Sequence, residues 1–216
     1  MIADVDGTLV DSNYQNIVAW YRAFRRCGVT APMWRIHRAV GMGGDQLVAA
    51  VAGEDVEDQH GDEVRAAWAE IFGPMLEEVA PLAGARELLV AVKENGHELV
   101  LASSGKPDHV DHYLDLLAVR DVADAWTTSE DVEATKPAPD LLAVAMDKVR
   151  GEHAVALGDS IWDCQAARKL GLPSIGLRTG GFGVDELAEA GASKVYDDLP
   201  ALRAELDRLP FAAKAQ

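Results

Sequence analysis

Short apolar runs alternate with helical patterns along most of the chain, and this alternation gives the first indication of the fold. Five runs are interpreted as strands because each is short, is apolar and ends in small or acidic residues. They cover residues 1–3, 97–102, 125–128, 154–157 and 173–177. Strands that alternate with helices are typical of a parallel sheet covered by helices. The pattern therefore predicts an α/β fold, a Rossmann-like parallel sheet flanked by helices.

One long segment departs from this alternation. Residues 13–80 show no strand pattern, and apolar side chains such as Ile17, Trp20 and Phe24 recur at helical spacing. The segment lies between the first two predicted strands, and ligands of parallel sheets bind at the carboxyl ends of the strands. We therefore expect residues 13–80 to form a small all-helical cap domain that overhangs the active site. Residues 1–12 and 81–216 would form the α/β core domain.

The composition excludes several classes of partner. With 216 residues, 49% of them hydrophobic and 26% charged, the chain has the composition of a soluble globular protein. Twenty Lys and Arg against 36 Asp and Glu give a net charge of −16, which repels nucleic acid and anionic membrane surfaces. No stretch approaches the roughly 18 apolar residues of a membrane helix, and the N-terminal segment carries Asp4, Asp6 and Asp11 instead of a basic signal sequence. We expect a cytoplasmic protein that binds neither nucleic acid nor membranes.

Carboxylates follow two of the predicted strands. Asp4 and Asp6 end the first strand and, at spacing i and i+2, point the same way. Asp159 and Asp163 follow the fourth predicted strand. Because parallel strands end at one edge of the sheet, these oxygen ligands should gather there and form a site for a hard cation, best suited to Mg²⁺.

Two further polar groups belong to the same edge. Ser103 ends the second predicted strand, and Lys136 follows the third. A hydroxyl, an ammonium, several carboxylates and nearby helix N-termini together make a mixture suited to a phosphoryl group bridged to a metal.

These stretches together resemble the four motifs of the haloacid dehalogenase superfamily of aspartate-nucleophile phosphotransferases. The motifs here are residues 4–12, 101–103, 136–137 and 158–163, in the order that the family has them. The helical segment after Ser12 resembles the subfamily with a small helical cap, which includes phosphoglycolate phosphatases and β-phosphoglucomutases. Only three residues precede Asp4, fewer than the first strand of the family normally has, so the native start is expected to lie upstream of Met1.

The resemblance implies catalytic roles for three residues. Asp4 would attack phosphorus and form an aspartyl-phosphate, and Asp6 would act as general acid and then as general base. Lys136 would keep Asp4 ionised, bind the phosphoryl group and neutralise charge in the transition state.

The resemblance also implies the ligand sets of the metal and the phosphate. Mg²⁺ would be held by Asp4, the main-chain carbonyl of Asp6 and Asp159, with Asp163 binding directly or through water. Phosphoryl oxygens would be bound by Lys136 and by three consecutive residues. These are Ser103, Ser104 and Gly105, with Ser104 as the alternative to Ser103 for the hydroxyl ligand.

Individual residues separate the activities known in the subfamily. Asp6 disfavours dehalogenation, which needs no acid there, and the absence of lysine from residues 13–80 excludes a Schiff-base mechanism in the cap. Asn16 and Gly44 stand where β-phosphoglucomutases carry a histidine and an arginine. The sequence therefore predicts a Mg²⁺-dependent phosphatase acting on a small phosphorylated metabolite, such as phosphoglycolate or a sugar phosphate. The alternatives are a phosphosugar mutase and, least favoured, a non-enzymatic phospho-accepting module, and the protein would be a monomer or homodimer.

The cap segment contains a local excess of positive charge. Between Asp11 and Asp45 there are five arginines and no acid. The arginines are Arg22, Arg25, Arg26, Arg35 and Arg38. They form either an electropositive funnel for the substrate or, as charge runs more often do, an ordinary solvated face.

Overall fold

A computed structural model describes residues 1–132, 134–151 and 153–209 of the chain. The six strands in this part of the chain are β1 (Ile2–Ala3), β2 (Val100–Ala102), β3 (Ala125–Thr127), β4 (Ala156–Gly158), β5 (Ser174–Leu177) and β6 (Ala192–Tyr196). They form one parallel sheet in the order β3-β2-β1-β4-β5-β6. The predicted parallel α/β fold is confirmed.

The sixth strand is a correction to the sequence analysis, which predicted five. β6 is an edge strand that pairs only with β5, and the register shifts between Ser174 and Ile175. Because one side of an edge strand has no neighbour, none of the residues of β6 is fully buried and the strand includes Ser193 and Lys194. The continuous apolar run that marks the central strands is therefore missing from β6.

Ten α-helices accompany the sheet in the described residues. Four lie between β1 and β2: α1 (Asn13–Arg26), α2 (Met33–Ala39), α3 (Gly44–Ala52) and α4 (Glu54–Phe72). The other six are α5 (Ala85–Glu94), α6 (Pro107–Leu117), α7 (Asp140–Asp147), α8 (Ile161–Lys169), α9 (Val184–Ala190) and α10 (Leu199–Ala204). Single 3₁₀ turns cover Gly73–Glu78, Ser129–Asp131, Arg178–Gly180 and Leu206–Arg208. None of the helices in the described ranges has both the length and the apolar character needed to span a bilayer.

The two faces of the sheet and the inserted helices each have a hydrophobic cluster. Adjacent residues of the central strands point to opposite faces, so Ile2 belongs to one cluster and Ala3 to the other. Helices α1 to α4 pack around a third cluster of their own. Its largest members are Ile17, Trp20, Phe24, Ile36, Leu47 and Val64. The helical segment thus has an apolar core separate from that of the sheet.

Helices α2 and α3 contact loops at the carboxyl edge of the sheet. The N–H of Thr135, in the loop after β3, donates to Asp45 at 3.2 Å, and its hydroxyl bonds to the same carboxylate. The indole N–H of Trp162, after β4, donates to the carbonyl of Arg38 at 3.2 Å. The His37 ring lies 3.1 Å from the carbonyl of Gly180, after β5. The helical segment therefore lies over the ends of three strands.

Candidate active site

Strand ends and the loops after them place the buried polar residues of the sheet. The N–H of Asp4 donates to the carbonyl of Leu157 at 2.9 Å, which continues the β1–β4 pairing by one residue. Asp159 directly follows β4, and Asp163 lies in the first turn of α8. Asp4, Lys136, Asp159 and Asp163 are all buried, with 7%, 3%, 3% and 5% of their surface exposed. The structure thus brings together four of the residues predicted from the sequence.

Lys136 joins two of the carboxylates. Its Nζ donates to Asp4 Oδ1 at 2.6 Å and to Asp163 Oδ1 at 2.8 Å. Burial by itself lowers the pKa of this lysine, but the charges of Asp163 and Asp4 outweigh burial and raise the pKa above its ordinary value. Lys136 therefore remains an ammonium at neutral pH.

The three carboxylates form a compact acidic cluster. Oxygens of Asp4, Asp159 and Asp163 all lie within 4.8 Å of one another. Burial, followed by the charge of Asp163, raises the pKa of Asp159 to about 7, and burial raises the pKa of Asp4 well above its usual range against the pull of Lys136. Three carboxylates facing one ammonium give the cluster an excess of negative charge, and its donors are all oxygen. This donor set fits Mg²⁺, whose ligands lie at about 2.0–2.1 Å and are mainly oxygens.

Neighbouring donors fix the carboxylates in place. The Thr8 hydroxyl lies 3.2 Å from Asp4 Oδ2 and 3.0 Å from Asp159 Oδ1, and Asn13 Nδ2 donates to Asp159 Oδ2 at 2.9 Å. Asp163 accepts from the N–H and hydroxyl of Ser160 in the capping box that starts α8. Each of the three carboxylates therefore accepts at least one hydrogen bond from the protein.

Glycines close the remaining space around the cluster. A Cβ at Gly158 would collide with the side chain of Asp163, and one at Gly180 would collide with Asp159. Gly7 has φ +73°, a left-handed conformation that favours glycine, and a Cβ there would collide with Asn13 and Asp159. The backbone approaches the acidic cluster as closely as it can.

Asp6 has a different environment from the acidic cluster. Its Oδ1 accepts from the Ser12 hydroxyl at 2.6 Å and from the Tyr113 hydroxyl at 3.0 Å, and Asp6 also lines the adjacent cavity. Burial and the charge of Asp6 raise the pKa of Tyr113, so its hydroxyl stays protonated and donates. Asp6 is held in a fixed orientation but remains only half-buried.

The phosphate-binding residues predicted after β2 differ in their access to the cavity. Ser103 is buried, and its Oγ accepts from the N–H of Gly105 at 3.0 Å. Ser104 and Gly105 line the cavity, whereas Ser103 does not. This arrangement favours Ser104 over Ser103 as the hydroxyl that meets a ligand in the cavity.

The acidic cluster opens into a cavity of about 490 Å³ between the sheet edge and helices α1, α3 and α4. Its floor includes Asp4, Asp6 and Lys136, and Asn16 and Gly44 also line it. Another part of the lining consists of apolar and aromatic side chains. Its members include Trp20, Val40, Met42, Leu47, Trp68, Phe72 and His109.

The five cap arginines lie elsewhere. None is a cavity-lining residue in the described part of the chain; Arg26 pairs with Glu70 at 2.6 Å and Arg38 with Glu186 at 2.5 Å. These contacts favour the solvated face over the funnel. The arginine that does line the cavity is Arg65, which the sequence analysis missed.

Two other residues were also missed. Asn13 directly follows the first motif and begins α1, so its proximity to the motif was a usable signal. Tyr113 lies on α6, and its contact with Asp6 spans 107 residues of sequence. No local pattern marks such a contact.

The fold is a parallel α/β sheet with an inserted helical segment. At the carboxyl edge of the sheet a buried acidic cluster and a lysine face a cavity, and this arrangement is typical of a class of hydrolases. Comparison with known proteins gives the family. The family model of haloacid dehalogenase-like hydrolases matches residues 1–177. The chain belongs to this family.

Relatives and solved structures agree with this assignment. Validoxylamine A 7'-phosphate phosphatase from Streptomyces hygroscopicus subsp. limoneus is 30% identical over 193 residues, covering 87% of this chain and 88% of that protein. A phosphoglycolate phosphatase from Pseudomonas putida is 28% identical over 208 residues, covering 92% of this chain and 76% of the relative. The crystal structure of a hydrolase from Pseudomonas syringae is 34% identical, superposes with a TM-score of 0.89, and covers 96% of this chain and 97% of its own. The protein is a hydrolase whose named relatives include phosphatases.

Proposed function

We propose that the protein is a Mg²⁺-dependent phosphatase that hydrolyses a small phosphomonoester through an aspartyl-phosphate on Asp4. The observation that carries this proposal is the buried pair of contacts from Lys136 Nζ to Asp4 and Asp163, at 2.6 Å and 2.8 Å, on the floor of an open cavity. Burial raises the pKa of Asp4, and the charge of the buried Lys136 ammonium opposes that rise, which favours the ionised, nucleophilic carboxylate. The phosphatase names of the relatives support the same reaction.

In the first half-reaction a carboxylate oxygen of Asp4 attacks phosphorus, and the bond from phosphorus to the leaving oxygen breaks. The protonated carboxyl group of Asp6 gives its proton to that leaving oxygen, so the product departs as a neutral alcohol. Ser12 and Tyr113 hold Asp6 by two hydrogen bonds at 2.6 Å and 3.0 Å, which fixes the direction of proton transfer.

In the second half-reaction a water oxygen attacks phosphorus while the Asp6 carboxylate takes a proton from that water. The bond from phosphorus to Asp4 breaks, inorganic phosphate forms, and Asp4 is free again as a carboxylate. Asp6 regains the proton that it gave away, so the catalyst is unchanged after one cycle.

The metal and phosphate ligands proposed are those that the family resemblance implies, and the acidic cluster of Asp4, Asp159 and Asp163 supports them. Asp4, the main-chain carbonyl of Asp6 and Asp159 would hold Mg²⁺, with Asp163 bound directly or through water. When bound, Mg²⁺ supplies positive charge that offsets repulsion between an anionic nucleophile and an anionic phosphate. Lys136 neutralises further charge. Phosphoryl oxygens would be bound by Lys136 and by residues of the loop after β2. These are Ser104 and Gly105, which line the cavity, with the buried Ser103 hydroxyl accepting from the Gly105 N–H behind them.

The helical segment is proposed to work as a cap domain over residues 13–80, on a core of residues 1–12 and 81–216. Its separate hydrophobic cluster and its position over three strand ends support this division. The cytoplasmic location, the absence of nucleic-acid and membrane partners, and a monomeric or homodimeric state stay predictions from the sequence.

Two cavity residues favour hydrolysis over the mutase alternative. Asn16 and Gly44 line the cavity without supplying the imidazole and guanidinium that the mutases carry at these positions. Incubation with Mg²⁺, β-glucose 1-phosphate and a trace of glucose 1,6-bisphosphate should therefore release inorganic phosphate faster than glucose 6-phosphate forms. The reverse order of rates would favour the mutase.

The direct test is phosphate release from p-nitrophenyl phosphate in the presence of Mg²⁺. Asp4→Asn should abolish turnover while the fold is retained, because the amide keeps the shape of the side chain and is not a nucleophile. Asp11→Asn is the matched control, since Asp11 is exposed and lies outside the cavity lining. Near-normal turnover by folded Asp4→Asn would refute the mechanism. Stable phosphorylation of the unaltered protein without turnover would instead favour the phospho-accepting module.

A further inference from the structure

We infer that the substrate of this phosphatase carries its phosphate on an uncharged, ring-shaped leaving group such as a cyclic sugar, and not on a small carboxylic acid such as glycolate. This inference rests on the proposed function and concerns the end of the cavity that carries the aromatic side chains. It depends on the shape and the charge of that end.

Aromatic rings line one part of the cavity. The rings of Trp20 and Trp68 stack with centroids 5.1 Å apart, and those of Trp68 and Phe72 with centroids 5.2 Å apart. The His109 ring follows, 5.4 Å from Phe72. Trp20, Phe72 and His109 are only 4%, 1% and 5% exposed, so Trp68 is the partly exposed ring of this group. The C–H face of a ring can cover the exposed part of Trp68 and displace water from it, whereas two carbons bound at Asp4 offer little surface to do so.

The volume is also large for a two-carbon acid. About 490 Å³ lies within the range of roughly 300–1,000 Å³ that is typical of pockets for ligands of drug size. A sugar phosphate would occupy more of such a cavity than a two-carbon acid would.

The arginine in this part of the cavity is already neutralised. Arg65 lies 2.8 Å from carboxylate oxygens of both Glu57 and Asp62, and its Nη1 donates to the carbonyl of Gly44 at 3.2 Å. One guanidinium thus faces two carboxylates. It has no net positive charge to offer to a carboxylate on the substrate.

The other charged residues of the cavity also provide no net positive charge for a carboxylate on the substrate. Asp45 adds a carboxylate, and Lys136 is already bound to two carboxylates in the acidic cluster. His109 is buried and its pKa is lowered mainly by burial, so the ring is neutral at pH 7. Lys106 is exposed, where water and salt weaken its attraction. A carboxylate on the leaving group would therefore meet more negative than positive charge, and a neutral hydroxylated group would not be repelled.

The experiment compares four phosphomonoesters whose leaving groups differ in charge, size and ring closure. Glucose 6-phosphate is a neutral ring, 6-phosphogluconate its open-chain acid, 2-hydroxyethyl phosphate a small neutral ester and phosphoglycolate the small acid. We expect kcat/KM for glucose 6-phosphate to exceed that for phosphoglycolate by about tenfold or more, the discrimination typical of one mismatched group. Each acid should also be a poorer substrate than its neutral counterpart. The inference is overturned if either acid is a better substrate than its neutral counterpart, or if kcat/KM for glucose 6-phosphate does not exceed that for phosphoglycolate.

Two variants separate charge from shape. Asn16→Arg adds a cation to the cavity wall, and among the described residues the Asn16 amide makes only a long hydrogen bond of 3.4 Å, to the Ser12 carbonyl. The ratio of phosphoglycolate to 2-hydroxyethyl phosphate activity should rise about tenfold in Asn16→Arg and stay near its original value in Asn16→Gln. Trp68→Leu should lower the ratio of glucose 6-phosphate to 2-hydroxyethyl phosphate activity, also about tenfold. An unchanged ratio in folded Asn16→Arg refutes the charge argument whether or not Trp68→Leu folds.

The same assays distinguish this inference from the proposed function. Hydrolysis of p-nitrophenyl phosphate that requires Asp4 and Mg²⁺ supports the phosphatase whatever the ranking of the four esters. A phosphatase that prefers phosphoglycolate would leave the proposed function intact and refute the ring-shaped leaving group. Absence of turnover with every ester, p-nitrophenyl phosphate included, would refute both.

Discussion

Replacement of Lys136 by methionine tests how the acidic cluster is held together. Methionine retains most of the unbranched stem and removes the ammonium that contacts Asp4 and Asp163 at 2.6 Å and 2.8 Å. With 3% of Lys136 exposed, water cannot replace the lost charge. Three buried carboxylates would then face one another without a counter-charge.

The expected loss of stability follows from this burial. Removing one partner of a buried ion pair typically costs about 3–5 kcal/mol, a large share of the roughly 5–15 kcal/mol that stabilises a folded domain. The loss should grow with pH. Without Lys136 the pKa values of Asp4 and Asp159, already raised by burial, rise further, so the folded state holds protons that the unfolded chain releases. Stability therefore falls as pH rises from the ordinary carboxyl pKa of 3.8 through neutrality.

Urea unfolding of the metal-free protein at about pH 5 and pH 8 measures the effect. Lys194→Met is the matched control, because Lys194 is a partly exposed lysine of β6 and its loss should change the free energy of unfolding by less than about 0.5 kcal/mol. An equal free energy of unfolding for Lys136→Met and the unaltered protein at pH 8 would refute the electrostatic account of the cluster.

Three further outcomes are expected. Asp6→Asn should slow both half-reactions, so that with an activated ester a covalent phosphoryl group accumulates on Asp4; mass spectrometry would detect it, and an unchanged steady-state rate would remove Asp6 from catalysis. Tyr113→Phe removes one of two hydrogen bonds to Asp6, worth about 1–2 kcal/mol, so kcat should fall roughly five- to thirty-fold with KM little changed; a change in KM alone would contradict this role. EDTA should abolish activity. The rise in Tm caused by Mg²⁺ should grow between about pH 5 and pH 8, because Asp159, with a pKa of about 7, must lose its proton to bind metal. A rise in Tm that does not depend on pH would contradict this.

The fold was predictable where burial leaves a mark on the sequence. Strands β1, β2, β4 and β5 lie inside the sheet, and the residues at the strand ends could be assigned to one edge from parallel topology alone. This is why Asp4, Asp159 and Lys136 could be placed together from the sequence. β3 and β6 are both edge strands with partial burial, but β3 begins with the apolar pair Ala125 and Trp126, whereas Ser193 and Lys194 interrupt β6.

The rest of the site depends on tertiary contacts that no local pattern encodes. Tyr113 on α6 bonds to Asp6 across 107 residues of sequence, and Arg65 reaches the cavity because α4 lies against α1. Which of Ser103 and Ser104 faces the cavity depends on the turn after β2, in which the Gly105 N–H donates a hydrogen bond to Ser103. Periodicity and motifs do not determine such turns.

The close approach of Gly158 and Gly180 to the acidic cluster limits which substitutions these two positions can tolerate. A change to alanine at either position adds a single methyl group, but that methyl would occupy the space of Asp163 or Asp159. Gly73, where an added methyl meets nothing within 4 Å, has no such restriction. A sequence that retains every acid and the lysine would then encode an inactive protein because of one carbon atom. Surveys that score a chain as active from its charged motif residues alone would misclassify it.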